Sequence, residues 1–155
     1  MGLVLALLGV GLAVALAGIG SSIGIGWVGQ ASAGAMTEHP EDFGRFLILT
    51  ALPGTQGIYG FVAAFFLMMK INLMGGAPVD LTIAQGWSLL LAALPIAVLG
   101  LVSALHQGKV CAAGVGLTVK RPAESMKAVV LAVFVEFYAV LGLLVTIFLI
   151  IGIKI

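Results

Sequence analysis

Charged residues are scarce in this chain: Asp, Glu, Lys and Arg make up 8% of 155 residues, and the formal net charge is +1. Soluble domains carry roughly a quarter of their residues charged, so no stretch here can form a water-facing domain. No basic patch supports a nucleic-acid partner, and none is expected. Cysteine occurs once, at Cys111, which excludes an intrachain disulfide. Inside a hydrophobic segment it is expected to pack as a small apolar residue. No G-x-x-x-x-G-K-[ST] phosphate loop is present, so the chain is not expected to be an enzyme by itself. The first residues lack a basic n-region, and their apolar run exceeds the ~7–15 residues of a signal peptide. A retained membrane helix is the expected reading.

Apolar residues are abundant: 62% are hydrophobic, and the mean hydropathy is +1.27. Four stretches, 3–36, 43–73, 86–119 and 124–153, each exceed the ~20 residues that a spanning helix needs. The fold class expected is an all-α membrane protein of four transmembrane helices, 1–155 forming one membrane domain. The excess length predicts tilt or projecting ends. Connectors one and three, with their flanks, hold Arg45, Lys109, Lys120, Arg121 and Lys127, against Lys70 and Lys154 opposite. The positive-inside rule places those connectors in the cytoplasm and both termini outside.

The chain is an internal duplication. Displaced by 82 residues, the halves align without a gap, with Pro40 on Pro122, Gly18 on Gly100 and Ser21 on Ser103. Gly26 meets Gly108, Gly34 meets Gly116, Gly60 meets Gly142, and Phe66 meets Phe148. Each half is one helical hairpin, at about 1–75 and 83–155, and two helices separate each equivalent pair. The repeats are therefore parallel.

Helices one and three carry a small residue at nearly every fourth position. The series are Gly18, Ser22, Gly26, Gln30, Gly34 and Gly100, Ala104, Gly108, Ala112, Gly116. Lipid gives no hydrophobic drive for helix association, so such faces let backbones approach. These two helices are expected to pack against each other and against neighbouring chains. Helices two and four, with Phe61, Phe65, Phe66, Phe134, Phe137 and Phe148, suit an outer layer.

Glu136 sits near the middle of the last apolar run. A charge there costs at least ~2.5–3.5 kcal/mol, so such residues are functional by default. No Lys or Arg lies at matching depth, which leaves a proton, a bound cation or another subunit as its partner. In the repeat alignment Glu136 meets Gly54, so the doubled hairpin carries one acid, with Thr55 and Gln56 beside the vacant equivalent. Leu52, Thr55, Gln56 and Tyr59 fall broadly on one side of helix two. Pro53 removes a backbone donor and crowds the carbonyl of Leu49, a loosening that could present the Leu52 carbonyl to a ligand. The plainer alternative is a kink with Thr55 bonded back to its own helix. Gln107 is either glue between helices or an oxygen donor. Tyr59 could hold the carboxylate in place, whereas Tyr138 and His106 face elsewhere. One carboxylate among neutral oxygens suits a hard monovalent cation, Na⁺, better than Ca²⁺ or Mg²⁺.

The doubled hairpin, Leu52-Pro53-Gly54-Thr55-Gln56-Gly57, Gln107-Gly108-Lys109, and Glu136 with Tyr138 together resemble the proteolipid (c or K) subunits of bacterial V-type ATPases, particularly the Na⁺-translocating form. The resemblance spans essentially the whole chain. It implies that Leu52 (through its carbonyl), Thr55, Gln56, Gln107 and Glu136 bind Na⁺, with Tyr59 bonded to the carboxylate. It further implies a homo-oligomeric rotor ring, small-residue helices inside, turning in lipid against a static membrane subunit that supplies an arginine. The central rotor stalk would dock on the cytoplasmic connectors, 37–42 and 120–124. A cell membrane is the implied location. Two alternatives stand: the same rotor carrying H⁺, and a self-contained small transporter or channel.

Overall fold

The computed structural model describes residues 1–155 and contains four helical spans long and apolar enough to cross a membrane. The first and third are the unbroken helices α1 (Gly2–Met36) and α4 (Ile83–Lys120). The second comprises α2 (Phe43–Ala51) and α3 (Thr55–Lys70), joined by a single 3₁₀ turn at Leu52–Gly54. The fourth is α5 (Ser125–Gly152).

The duplication is visible at every level. Pro40 and Pro122 each open a 3₁₀ turn, Pro40–Asp42 and Pro122–Glu124. A proline suits this position because its φ is already set and no helical partner awaits its missing N–H. Just beyond, Asp42 pairs with Arg45, and Glu124 pairs with Lys127. These pairs occupy corresponding positions of the two repeats, a match not anticipated from the sequence. The connector between repeats reverses through left-handed backbone at Asn72 (φ 54°) and Gly76 (φ 94°). A capping box between Thr82 and Gln85 then starts α4, satisfying donors that a helix N-terminus leaves free.

Within each repeat the two spans are antiparallel, and a glycine makes a matched close contact between them. A Cβ on Gly60 would lie 2.6 Å from the Cβ of Ala17, and one on Gly142 would lie 3.1 Å from the Cβ of Leu99. The second contact is the first displaced by the repeat length. Between repeats, α1 and α4 run parallel with their backbones touching. A Cβ on Gly20 would lie 2.8 Å from Leu101 Cα, and one on Gly108 would lie 2.6 Å from Gly24 Cα. Two polar bonds tie hairpins internally: the Gly57 N–H donates to Ser21 Oγ (2.8 Å), and the Ile96 N–H donates to Thr146 Oγ1 (3.2 Å) beside the helix-interior Pro95.

The packed-face expectation needs correction on both helices. On α4, Gly100, Ala104 and Gly108 are buried as expected, but Ala112 is only half-buried and Gly116 is exposed, with nothing within 4 Å of a Cβ placed there. On α1 the series Gly18, Ser22, Gly26, Gln30, Gly34 does not meet α4; a Cβ at Gly18, Gly26 or Gly34 would touch nothing within 4 Å. The face that α1 buries is Ala13, Ala17, Gly20, Gly24 and Val28. Two small-residue faces lie side by side on this helix, and four-residue spacing alone does not select between them. Phe61, Phe65, Phe66, Phe134, Phe137 and Phe148 are exposed, as an outer layer facing lipid requires, whereas Phe46 of span two is buried in the core. Cys111 is fully buried among apolar side chains.

Candidate ion-binding site

The site forms where three helices meet. Span two supplies Leu52, Thr55, Gln56 and Tyr59, α4 supplies Gln107, and α5 supplies Glu136. Pro53 shapes the first of these. The helix does not open at the proline; it tightens into the 3₁₀ turn Leu52–Gly54. Each 3₁₀ residue turns further about the axis than an α residue does. The Leu52 carbonyl accepts the Thr55 hydroxyl at 3.0 Å. This is the back-bonded arrangement offered as the plainer alternative, and it brings two oxygens together. The Thr55 Oγ1 keeps acceptor lone pairs and lies 3.4 Å from Gln56 Oε1.

Gln56 and Gln107 are both fully buried. An amide buried in hydrocarbon must satisfy its own donors and acceptors, and these two do so mutually. Gln56 Nε2 donates to Gln107 Oε1 at 2.7 Å, bridging the two repeats. Gln107 Nε2 donates to the Ala132 carbonyl (3.1 Å) and to Glu136 Oε2 (3.3 Å). Gln107 thus joins α3, α4 and α5, its oxygen accepting from Gln56 and its nitrogen donating to α5.

Glu136 is partly buried and receives two donors. Tyr59 donates its hydroxyl to Oε1 at 2.6 Å, and Gln107 serves Oε2. No cation approaches it. The ion pairs of the chain are His39–Glu41, Asp42–Arg45 and Glu124–Lys127. Lys109 is turned toward Trp27, with its Nζ 5.6 Å from the ring centroid. The result is one carboxylate, two amides, two hydroxyls and a backbone carbonyl in one hydrogen-bonded cluster without a counter-charge. All six residues singled out in the sequence are brought together. His106 and Tyr138 lie outside the cluster, on an exposed groove between α4 and α5. Two supporting groups went unread: the Ser21 hydroxyl, which holds the backbone of Gly57 beside Gln56, and the Ala132 carbonyl, which takes the Gln107 amide. Ser21 stood out only as a repeat match to Ser103, and a backbone carbonyl has no residue-type signal.

The chain matches the family of the ATP synthase C subunit twice, over residues 8–67 and 90–149. The two matches differ by the displacement that aligns the halves. It is 43% identical to the K subunit of the V-type sodium ATPase of Enterococcus hirae, covering 97% of this chain and 93% of that one. It is 38% identical to the K subunit of the A-type ATP synthase of Methanocaldococcus jannaschii, covering 97% of this chain and 64% of that one. Two family repeats in one chain account for four spans where one hairpin would give two. The chain belongs to the ATP synthase C-subunit family, as a doubled-hairpin membrane proteolipid of a rotary ATPase and not as a catalytic component.

Proposed function

We propose that this chain is the ion-carrying rotor subunit of a V-type ATPase membrane sector and that its cargo is Na⁺, held at Glu136. The observation that carries the reading is the donor set around the carboxylate. Both oxygens of Glu136 accept hydrogen bonds, from Tyr59 and Gln107, which suits the ionised form. A carboxyl that carries H⁺ needs an acceptor for its own proton. Leu52 (carbonyl), Thr55, Gln56, Gln107 and Glu136 supply oxygens that a hard cation prefers. A single negative charge makes the Na⁺-loaded site neutral. The sodium-ATPase relative points the same way.

Loading neutralises the site, and a neutral site can pass through lipid without exposing a bare charge. Identical copies form a ring, with α1 and α4 toward the axis and Glu136 toward the rim. An arginine on a static membrane subunit displaces the ion into an exit path. Connectors one and three face the cytoplasm and both termini the outside. The two Pro-initiated turns, with the Asp42–Arg45 and Glu124–Lys127 pairs, present a repeated surface to the central stalk. Reversing charge at Glu41 and Arg121 is expected to lower the Na⁺ transported per ATP hydrolysed. An unchanged ratio removes the docking assignment.

Labelling by a hydrophobic carbodiimide, which attacks the protonated carboxyl, tests the cargo. At fixed pH, Na⁺ at ten times its Kd is expected to slow labelling of Glu136 roughly tenfold by occupancy, while K⁺ at equal ionic strength does not. Labelling that follows pH and ignores Na⁺ identifies a proton rotor instead. Ion flux through the purified chain alone, without the ATPase, identifies a self-contained channel.

A further inference from the structure

Ser21 and Ser103 occupy the same place in the two repeats, yet only one of them is bonded. Both are buried, at 5% and 4% exposed. Ser21 Oγ accepts the Gly57 N–H at 2.8 Å. Ser103 Oγ has no hydrogen-bond partner, a costly condition for a buried hydroxyl and one that calls for a reason. Displaced by 82 residues, the donor that would complete the second bond is the Ala139 N–H. Ala139 is buried too, and the hairpins pack alike one turn further on, through Gly60 against Ala17 and Gly142 against Leu99. What differs is the helix. Gly57 follows the 3₁₀ turn Leu52–Gly54, whereas α5 is an unbroken α-helix from Ser125 to Gly152, so the Ala139 N–H is directed at the Val135 carbonyl.

The 3₁₀ turn itself has a counterpart. Leu52, Pro53 and Gly54 correspond to Phe134, Val135 and Glu136, so the turn that the first repeat holds falls, in the second, on the carboxylate. Pro53 has no N–H to return to an α-helical bond, which locks the first repeat. Val135 keeps its N–H, and a β-branched residue favours the α-helix only weakly, so α5 is free to pass between the two forms. We infer that Ser103 is a positioning residue for ion exchange: α5 tightens at Phe134–Glu136 as span two does at Leu52–Gly54, Ser103 Oγ takes the Ala139 N–H, and Glu136 turns out of the site. The turning follows from helix geometry. A 3₁₀ residue advances about 120° against about 100° in an α-helix, so three of them add about 60°. Gln107 Nε2 donates at once to the Ala132 carbonyl, before the turn, and to Glu136 Oε2, within it. Whichever end of α5 stays fixed, one amide cannot follow both acceptors through that rotation. The carboxylate loses its Gln107 donor, and the oxygens around the ion no longer converge. Ser103, Phe134 and Val135 line one groove between α4 and α5, so the hydroxyl and the turn it serves face the same space.

This inference deepens the Na⁺-rotor reading and rests on it. Ser103→Ala and Ser21→Ala are compared with the parent in the assembled ATPase. Equilibrium binding of ²²Na⁺ gives the affinity, and rapid filtration after dilution into unlabelled Na⁺ gives the release rate. Ser21 makes its bond in the loaded site, so Ser21→Ala is expected to weaken binding. Ser103 is bonded only in the form through which the ion both enters and leaves. Ser103→Ala is therefore expected to slow release about 2- to 10-fold, the effect of one hydrogen bond, with the Kd and the thermal midpoint of the parent retained. Release at the parent's rate overturns the proposal. So does a change in Kd as large as the change in rate, which makes Ser103 a structural support of the loaded site. Either result leaves the rotor reading standing. A parent complex that binds no ²²Na⁺ overturns the Na⁺ reading and the proposal together.

Discussion

Glu136→Gln is expected to abolish ATP-driven Na⁺ transport while leaving a folded, inserted chain. The substitution keeps the side-chain shape and removes the single negative charge of the site, so bound Na⁺ loses its only counter-charge. Leaving a buried charge unpaired costs about 3–5 kcal/mol, which corresponds to roughly 10²–10⁴-fold in affinity. The amide also keeps only one of the two acceptor oxygens that now serve Tyr59 and Gln107. Stability of the chain does not fall, because a costly charge has left the membrane interior. ²²Na⁺ uptake into vesicles and ²²Na⁺ binding to the purified protein measure the two quantities. Retained binding within tenfold of the parent sinks the assignment of Glu136 as the carrier. Tyr59→Phe provides the contrast. It removes one donor at 2.6 Å from a carboxylate that keeps its charge, and hydrogen bonds to charged groups contribute about 1.5–3 kcal/mol. Binding is expected to weaken about 10- to 100-fold, with uptake recovered at high Na⁺.

Gly108→Leu is expected to have the largest structural effect of any single change. At this position a Cβ would lie 2.6 Å from Gly24 Cα and 2.9 Å from Gly24 O. The obstacle is backbone, which cannot rotate aside as a side chain does. Overpacking of a core costs about 1–3 kcal/mol and more when backbones must part. Separating α1 from α4 also pulls Gln107 away from Gln56, breaking a bond that, with Tyr59–Glu136, joins the repeats at the ion site. Thermal unfolding in detergent should show a large drop in midpoint, together with loss of Na⁺ binding. Gly116→Leu is the control, since a Cβ there meets nothing within 4 Å. Equal midpoints for the two variants refute close backbone packing as the bond between the repeats.

The number of spans, the class and the duplication were all readable from the residues alone, and the reason is the solvent. A bilayer imposes a one-dimensional test: a segment is long and apolar enough to span or it is not. Glu136 stood out for the same reason, since a lone acid at that depth has no cheap explanation. The matched Pro40 and Pro122 located two turns, because a proline has few places to sit in a helical hairpin.

Relations between helices were another matter. Four-residue spacing marked Gly18, Ser22 and Gly26 as a packed face of α1, yet Gly20 and Gly24 make the contact with α4. Both faces are small enough, so the choice falls to the whole bundle, where the alternatives compete through summed contacts. The proline at Pro53 was expected to loosen its helix; packing against α1, where Ser21 takes the Gly57 N–H, accompanies a tightened turn. Residue types announced which oxygens could bind an ion. Only three helices brought within hydrogen-bond reach decided that Leu52, Thr55, Gln56, Gln107 and Glu136 form one cluster, because convergence is a property of distances that no single helix contains.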